Sequence, residues 1–264
     1  MAIHYPRRVV RTGDPDPALV RALQRRLNQV ACGPLKEDGV FGPTTRTAVC
    51  LFQARHTDAE GQSLKIDGEV GPLTWEALFG PDSVTEQVPG NSLPPLLRTV
   101  LEIADDEVGV LEQPLYSNSG PRVNQYIKRA GQQPGVFWCM CFVYWCFDEA
   151  AQRLNMANPC VKTAGVLDHW QRAVKRGVRY ITAQQAQQDP ELVRPGQVFV
   201  IETTGAGAEF RTGHTGLVEQ VYGGKLVTVE GNTNAGGSRN GIGVFRRSAR
   251  KLNSINVGFI DYNL

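Results

Sequence analysis

Cys139 lies where a thiol can become a nucleophile. It belongs to the most apolar run of the chain, residues 137–147, which follows a turn signal at 132–135 and leads into a helical pattern. A buried helix is therefore predicted over about 137–154. The first turn of a helix has unpaired N–H groups and the positive end of the helix dipole, and both favour a thiolate. Because the thiolate is the nucleophilic form of cysteine, this position predicts covalent catalysis.

The same apolar run has an alternative interpretation. Cys141 and Cys146 follow closely, and clustered cysteines are more often small core residues than catalysts. Cys141 is two positions from Cys139, about 200° around a helix, so both thiols cannot face one base. We predict that Cys141 and Cys146 are core residues. Cys139 can be a catalytic nucleophile only if the chain also supplies a base and a residue that orients it, and binds a substrate.

His214 is the histidine best placed to serve as that base. It stands at the start of a predicted strand between Gly213 and Gly216, where small neighbours let backbone or substrate approach the imidazole. A strand-end histidine that faces a cysteine at a helix N-terminus is the arrangement of a Cys/His hydrolase. We assign His56 to a helix end as a dipole partner, and His169 to a helix surface in a structural role.

Two polar residues are candidates for holding that imidazole. Glu230 and Asn232 end the strand that hairpins back from His214, and on extended backbone a spacing of two puts both on the same face. A buried glutamate or asparagine that accepts the imidazole N–H would fix its tautomer and orientation. The residues alone leave open which of the two does so.

The composition fits a globular enzyme and excludes other classes. With 264 residues, 41% of them hydrophobic, and a net charge of +2, the chain can build one large or two smaller domains and is not a strongly electrostatic nucleic-acid binder. No run is long enough to cross a membrane. The first residues lack the apolar core of a secretory signal, so we expect synthesis in the cytoplasm without a signal peptide.

Cysteine usage gives no framework of disulfides or metal ligands. The six cysteines are irregularly spaced and lack the paired spacing of a zinc site, so most are expected to be reduced and buried. The sequence does not decide whether Cys32 and Cys50 form a disulfide.

An internal repeat organises the first eighty residues. Residues 38–49 recur 29 positions later as 67–78, and each copy has an Asp-Gly turn followed by Gly-Pro and a helix. A further helix is predicted after the capping pair Asp16 and Pro17. The result is a compact three-helix unit. Its expected core includes Leu51, Phe52, Trp75, Leu78 and Phe79.

The rest of the chain reads as a linker and an α+β domain. Residues 81–95 lack periodicity and are rich in Pro, Gly and Ser, which is typical of a semi-stiff linker. Apolar spacing is helical from 96 to about 175 and then changes to that of strands joined by hairpins, which predicts an antiparallel sheet. The predicted strands are 197–202, 214–222, 225–230, 243–247 and 255–260, with a long Gly/Asn loop over 231–241.

The N-terminal region resembles the three-helix type of peptidoglycan-binding domain over roughly residues 14–80. The residues that carry the resemblance are Val20, Leu23, Gln24 and Leu27, then Asp38, Gly39, Phe41, Gly42, Pro43, Thr45, Ala48, Val49, Phe52 and Gln53, then Asp67, Gly68, Gly71, Pro72, Thr74, Trp75 and Leu78. The resemblance implies binding to cell-wall glycopeptide. Turn geometry alone explains the Asp, Gly and Pro of both copies, so no single residue is predicted to contact a ligand.

The C-terminal region resembles the CHAP family of cysteine/histidine-dependent amidohydrolases and peptidases over about residues 98–264. The matching residues are Trp138, Cys139, Phe142 and Val143, then 213–216 and 229–232, with Gly109, Val110, Glu112, Asn118, Ser119, Gly120 and Val123 upstream. The resemblance implies a papain-like fold with Cys139 as nucleophile, His214 as base, Glu230 as orienting residue and Asn232 as a second polar support. Cys141 departs from the family pattern, which often has a small residue there. The acidic calcium loop of some CHAP domains is missing, so we expect no metal and no other cofactor.

Both resemblances imply the same substrate, peptidoglycan. We expect an all-α binding domain at 1–80, a linker at 81–95 and a papain-like α+β hydrolase domain at 96–264. The expected reaction is cleavage of an amide bond of the stem peptide, either as an N-acetylmuramoyl-L-alanine amidase or as an endopeptidase. The alternative is a non-catalytic cell-wall-binding protein with an inert Cys/His domain.

The expected partner is peptidoglycan, bound by a monomer without nucleic acid and without membrane insertion. With no signal peptide, the chain would reach the cell wall as a phage endolysin released at lysis or as an antibacterial toxin exported by a specialised machinery. A toxin would imply an immunity protein as a further partner.

Overall fold

The computed structural model describes residues 3–6, 8–59, 61, 63–84, 93–204, 212–222, 224–234 and 241–263. They form two compact units, the first built mostly from residues before 87 and the second mostly from later residues. The described part contains eight α-helices and six β-strands, so the predicted α+β class is confirmed. Of the predicted linker, residues 85–92 lie outside the described residues. No helix of the described part is both long and apolar enough to span a membrane.

Three proline-initiated helices form the first unit, two of them predicted by the repeat and the first by the capping pair Asp16 and Pro17. They are α1 (Pro17–Gln29), α2 (Pro43–Arg55) and α3 (Pro72–Phe79). Asp16 caps the first of them, because its carboxylate accepts from two N–H groups of the first turn at 3.0 Å each. Of the expected core, Phe52, Trp75 and Leu78 are buried, whereas Leu51 and Phe79 are only partly buried at its edge.

Polar side chains of the repeat fix the two Asp-Gly turns. The Gln24 amide donates to the aspartate of the 38–39 turn at 2.9 Å and accepts from the glycine N–H of that turn at 2.9 Å. The Gln53 amide repeats this at the 67–68 turn, with distances of 3.0 and 2.9 Å. These polar groups are satisfied within the fold, which agrees with a structural role for the repeated motif.

Helices make up the first half of the second unit. They are α4 (Pro95–Asp106), α5 (Val123–Arg129), α6 (Cys139–Arg153), α7 (Val166–Lys175) and the short α8 (Ala183–Gln188), which was not predicted. Every residue of α6 from Cys139 to Phe147 is buried, and the helix packs in the main core of this unit. The apolar run therefore forms a buried helix that begins at Cys139.

A six-stranded sheet forms the other half. Its strands are β1 (Arg179–Thr182), β2 (Val198–Glu202), β3 (Gly213–Tyr222), β4 (Lys225–Thr233), β5 (Gly243–Lys251) and β6 (Gly258–Asp261), in the order β1-β6-β2-β3-β4-β5. β2 pairs antiparallel with β3, so that Ile201 lies opposite His214. β4 pairs antiparallel with β5, and Glu230 lies opposite Phe245.

The structure corrects several strand predictions. β1 was missed because it is short and two of its four residues are exposed. The predicted loop over 231–241 is wrong at its start, because β4 continues to Thr233, while residues 235–240 of that loop lie outside the described part. β6 begins at 258 and not at 255, because the chain bends at 256–257 after a short 3₁₀ turn over 252–254.

A glycine lets the sheet approach the start of α6 closely. A Cβ on Gly231 would lie 2.7 Å from Cβ of Phe142 and 2.8 Å from Cζ3 of Trp138. Any larger residue there would push β4 away from the helix. The glycine between the two polar candidates of β4 therefore has a packing role that brings this strand against the first turn of α6.

Candidate active site

Cys139 is the first residue of α6. Trp138 is the N-cap residue, and Cys139 is 3% exposed. A helix leaves its first N–H groups without partners inside the helix, and Cys139 provides one of them at this end. Cys141 is fully buried, and burial, followed by the neighbouring Cys139, raises the pKa of its thiol to about 12. The two thiols thus have different surroundings on one helix.

His214 stands near the start of β3 and is 3% exposed. Its Nε2 lies 2.7 Å from Oε2 of Glu230. Its Nδ1 is buried and has no hydrogen-bond partner of good geometry among the described residues. The Cys139 side chain also interacts with this imidazole. Because Glu230 occupies Nε2, Nδ1 is the nitrogen that remains for the thiol.

The neighbours of His214 decide its charge. Burial by itself lowers the pKa of His214, but the neighbouring Cys139 and Glu230 side chains outweigh burial and raise the pKa to about 9. His214 is therefore protonated at neutral pH. A protonated imidazole at this position can act as a general acid toward a group bound beside Cys139.

Glu230 holds the imidazole and is itself held by Arg250. The Arg250 guanidinium donates from Nε to Oε1 and from Nη2 to Oε2 at 2.7 Å each, and Thr228 Oγ1 donates to Oε1 at 2.6 Å. Burial raises the pKa of Glu230, but His214 and Arg250 outweigh it and lower the pKa to about 2. Glu230 therefore remains a carboxylate, although it is fully buried.

Asn232 does not share the position of Glu230. Its Oδ1 accepts from the Trp138 N–H at 3.2 Å, and its Nδ2 donates to Asn118 Oδ1 at 3.0 Å. The β4–β5 register shifts between Glu230 and Thr233, and Asn232 has a left-handed φ of 54°. The premise of extended backbone therefore does not hold at Asn232, and the two side chains have different partners. Glu230 contacts the imidazole, whereas Asn232 contacts the start of α6.

Gly216, two residues after His214, admits neighbouring backbone. A Cβ on Gly216 would lie 2.7 Å from the Val229 carbonyl oxygen and 2.8 Å from Cγ of Glu230. The expected approach of backbone to this segment is therefore seen, and it places the β4 carboxylate beside β3. The space at Gly216 is filled by this packing and does not form an opening for substrate.

Two residues of the site were not assigned a role from the sequence. Arg250 lies in a basic stretch of β5, and no spacing distinguishes it from Arg246 and Arg247. Its guanidinium also lies 4.8 Å from the centre of the Phe199 ring. Glu112 appears in the sequence only as part of a family resemblance, yet its buried carboxylate hydrogen-bonds Trp138 Nε1 at 2.8 Å. Only the folded chain brings both residues to the site.

The remaining histidines and cysteines lie away from this chemistry. His56 ends α2, and its Nδ1 lies 2.9 Å from the Phe52 carbonyl oxygen, as a helix-end partner would. The prediction of a surface position for His169 is wrong: it is fully buried, and its Nε2 lies 2.9 Å from the Tyr262 hydroxyl. All six cysteines are described and all are free thiols, including Cys32 and Cys50. The described residues contain no group of three or more His, Cys, Asp or Glu side chains that could hold a metal ion.

Comparisons with known families agree with the two resemblances. Residues 16–78 match the family model described as a putative peptidoglycan binding domain, and residues 131–232 match the CHAP domain. Searches of curated proteins and of solved structures found no match. The first match spans α1 to α3, and the second contains the cysteine, the histidine and both polar residues of β4. Together the two domains indicate a peptidoglycan hydrolase. The chain thus carries a peptidoglycan-binding domain followed by a CHAP domain.

Proposed function

We propose that this protein hydrolyses an amide bond of the peptidoglycan stem peptide with Cys139 as the nucleophile. The observation that supports this most is a buried chain of interactions: Cys139 interacts with His214, His214 Nε2 lies 2.7 Å from Glu230, and Glu230 accepts from Arg250 at 2.7 Å. A nucleophile, a base and an orienting carboxylate in this order form a hydrolase triad. The N-terminal domain supports peptidoglycan as the polymer that is bound.

The first half of the reaction forms a thioester. The Cys139 thiolate attacks the amide carbonyl carbon, and the carbonyl oxygen takes up negative charge. The N–H of Cys139 at the start of α6 donates to that oxygen; one such donor typically contributes about 10²–10³-fold to the rate. His214 then gives its Nδ1 proton to the amide nitrogen, the C–N bond breaks, and the amine leaves.

The second half returns the enzyme to its starting state. Neutral His214 takes a proton from water through Nδ1, and the water oxygen attacks the thioester carbonyl carbon. The C–S bond breaks, which releases the acid and regenerates the thiolate beside the imidazolium. Glu230 stays ionised throughout and stabilises the charged imidazole, because its low pKa prevents it from taking the proton.

Two bonds fit this chemistry. Cleavage between N-acetylmuramic acid and L-alanine makes the protein an amidase, and cleavage within the stem peptide makes it an endopeptidase. In either case the N-terminal domain would raise the local concentration of substrate around the catalytic domain. The proposal places the reaction in the cell wall, after release as a phage endolysin or export as an antibacterial toxin. Protection of cells by a cognate immunity protein would distinguish the toxin from the endolysin.

Digestion of purified sacculi tests the proposal. Wild type should release soluble fragments whose masses identify the bond, and Cys139→Ala should release none. Cys141→Ala is the matched control and should retain activity, because that thiol lies in the core. Inert wild type would favour the non-catalytic wall-binding protein. Activity that survives in Cys139→Ala and is lost in Cys141→Ala would show that Cys141, and not Cys139, is the nucleophile. Inhibition by a chelator, with insensitivity to thiol alkylation, would favour a metal amidase.

A further inference from the structure

Glu112 is a buried carboxylate at the junction of three segments around Cys139. It is 1% exposed. Its Oε1 accepts from Trp138 Nε1 at 2.8 Å and from Asn232 Nδ2 at 3.3 Å, and its Oε2 accepts from the Asn118 N–H at 3.1 Å. One side chain therefore joins the residue before the nucleophile, the end of β4 and the loop after Leu111.

The backbone of Glu112 is fixed as well. Its N–H donates to the Ile242 carbonyl oxygen at 2.7 Å, and the preceding residue, Leu111, forms a bridge with Gly243 at the start of β5. Two residues before Glu112, the Val110 carbonyl oxygen accepts from the Val244 N–H at 2.9 Å. The carboxylate thus projects from a segment that is hydrogen-bonded to the edge of the sheet.

Glu112 controls Trp138 by two routes. It binds the indole directly, and it binds the Asn232 amide, whose Oδ1 accepts from the Trp138 N–H at 3.2 Å. Trp138 is the N-cap residue of α6, and its own side chain makes no capping hydrogen bond. The ring and the backbone of the residue before Cys139 are therefore held by one carboxylate.

We propose that Glu112 is a positioning residue for the Cys139 nucleophile. By fixing Trp138 and Asn232, it sets the direction of the Cys139 N–H and thiol relative to His214. Displacement of reacting groups by about 1 Å can cost about 10²-fold in rate, so a residue that acts only through this placement affects kcat strongly. The inference rests on the proposed function, and Glu112 lies outside the segment 131–232 that matches the CHAP domain.

The same contacts would also fit a carboxylate that only stabilises the fold, so a matched control is needed. Asp261 is 5% exposed in β6 and accepts from Gln197 Nε2 at 3.4 Å and from the Asn263 N–H at 3.0 Å. It is a buried carboxylate of the same unit that contacts none of the site residues named above. Removing it should affect stability but not the geometry at Cys139.

The test compares Glu112→Ala, Glu112→Gln and Asp261→Ala as full-length proteins. Initial rates are measured over a range of concentrations of soluble muropeptides, at a temperature where circular dichroism shows each variant folded. The rate at which iodoacetamide alkylates Cys139 is followed by peptide mapping. We expect Glu112→Ala to lower kcat by about 10–100-fold with KM within about twofold, and to slow or speed alkylation at a fixed pH. Glu112→Gln should recover part of kcat, because its remaining oxygen still accepts from Trp138 and Asn232.

Three results would overturn the inference. The first is a folded Glu112→Ala variant whose kcat and alkylation rate equal those of wild type. The second is an Asp261→Ala variant that loses as much kcat as Glu112→Ala. The third is wild-type kcat in Glu112→Gln when Glu112→Ala fails to fold. Inert wild type, or an active Cys139→Ala, would instead refute the proposed function, and the alkylation rates of wild type and the Glu112 variants would still decide whether Glu112 positions the thiol.

Discussion

The C-terminal unit contains two cysteine–histidine pairs, and their surroundings differ. In one, Cys160 Sγ lies 4.0 Å from His169 Nε2, which also lies 2.9 Å from the Tyr262 hydroxyl. In the other, Cys139 interacts with His214, whose far nitrogen lies 2.7 Å from the Glu230 carboxylate. Both pairs are buried, so burial alone does not distinguish a structural pair from a catalytic one.

Charge makes the difference. Burial lowers the pKa of His169 to about 4, because the nearby Asp168 charge is too weak to compensate, and burial raises the pKa of Cys160 to about 12. At His214 the same burial is outweighed by a thiol and a carboxylate, and the pKa rises to about 9. At neutral pH the first pair is therefore neutral and the second carries an imidazolium. The second pair differs from the first in having a carboxylate that binds the imidazole and a cysteine at the start of a helix. These two features favour a catalytic role for the second pair.

Removing each thiol is the strongest way to break the comparison. Cys139→Ala should lower hydrolysis of sacculi by about 10⁶-fold, because the nucleophile is lost. Cys160→Ala should keep activity within about twofold and lower only the free energy of unfolding. Both are measured as release of soluble fragments by folded protein. Comparable losses in the two variants would show that the pairs do not differ in role.

Glu230→Gln should have the next largest effect. The amide keeps the shape but removes the negative charge that supports the imidazolium, and loss of an orienting carboxylate can cost up to about 10⁴-fold in kcat. Glu219→Gln in β3 is the control, since that carboxylate is half-buried and pairs with exposed Arg246. Equal kcat for wild type and Glu230→Gln would contradict the role of the carboxylate.

Arg250→Met tests the support of Glu230. It leaves a fully buried carboxylate without its guanidinium partner, which should lower the free energy of unfolding by about 3–5 kcal/mol and reduce activity. Arg246→Met removes the surface ion pairs of Arg246 with Glu219 and Asp105 and should cost no more than about 1 kcal/mol. Urea denaturation measures both. Equal stability losses would mean that Arg250 adds nothing beyond an ordinary surface arginine.

His169 should make the protein less stable as the pH falls. Between pH 6.5 and about 4 the unfolded chain binds a proton that native His169 does not, so the free energy of unfolding falls as pH falls through this window. The full effect is about 3 kcal/mol. His169→Gln should remove that part of the slope, which urea denaturation at several pH values measures. An unchanged slope would show that His169 is not held neutral.

His214 should act in the opposite sense. Its pKa is raised from 6.5 to about 9, so its contribution to stability is fully present below pH 6.5 and is lost as pH rises through about 9. Comparing wild type with His214→Gln between pH 6 and 10 isolates this contribution. A variant whose stability falls with rising pH as steeply as that of wild type would contradict it.

Local signals in the sequence predicted much of this architecture. Prolines at helix starts placed α1, α2 and α3, and the apolar run placed α6 with Cys139 in its first turn. The order Cys139, His214, Glu230 follows from a helix start and two hairpin strands, and the structure brings these side chains together. Each of these signals depends only on a few residues that are neighbours in the chain, so a local sequence pattern is enough to predict it.

Contacts between distant segments were not predictable in the same way. Arg250 reaches Glu230 across the β4–β5 pair, where shifts in register decide which arginine of the basic stretch faces inward. Asn232 binds the Trp138 N–H and not the imidazole, and its backbone takes a left-handed conformation that the spacing did not predict. His169 lost its expected surface position because Tyr262, 93 residues away, supplies a buried partner. These outcomes depend on tertiary packing that no local pattern records.

The charge of His214 tests the central claim most directly. Nuclear magnetic resonance of the labelled imidazole follows its titration in wild type and in Cys139→Ala. The account predicts a doubly protonated ring at pH 7.5 in wild type, with a pKa near 9 that falls when the thiol is removed. A neutral ring at pH 7.5 in wild type, or a pKa that is the same in Cys139→Ala, would contradict the pairing of Cys139 with His214.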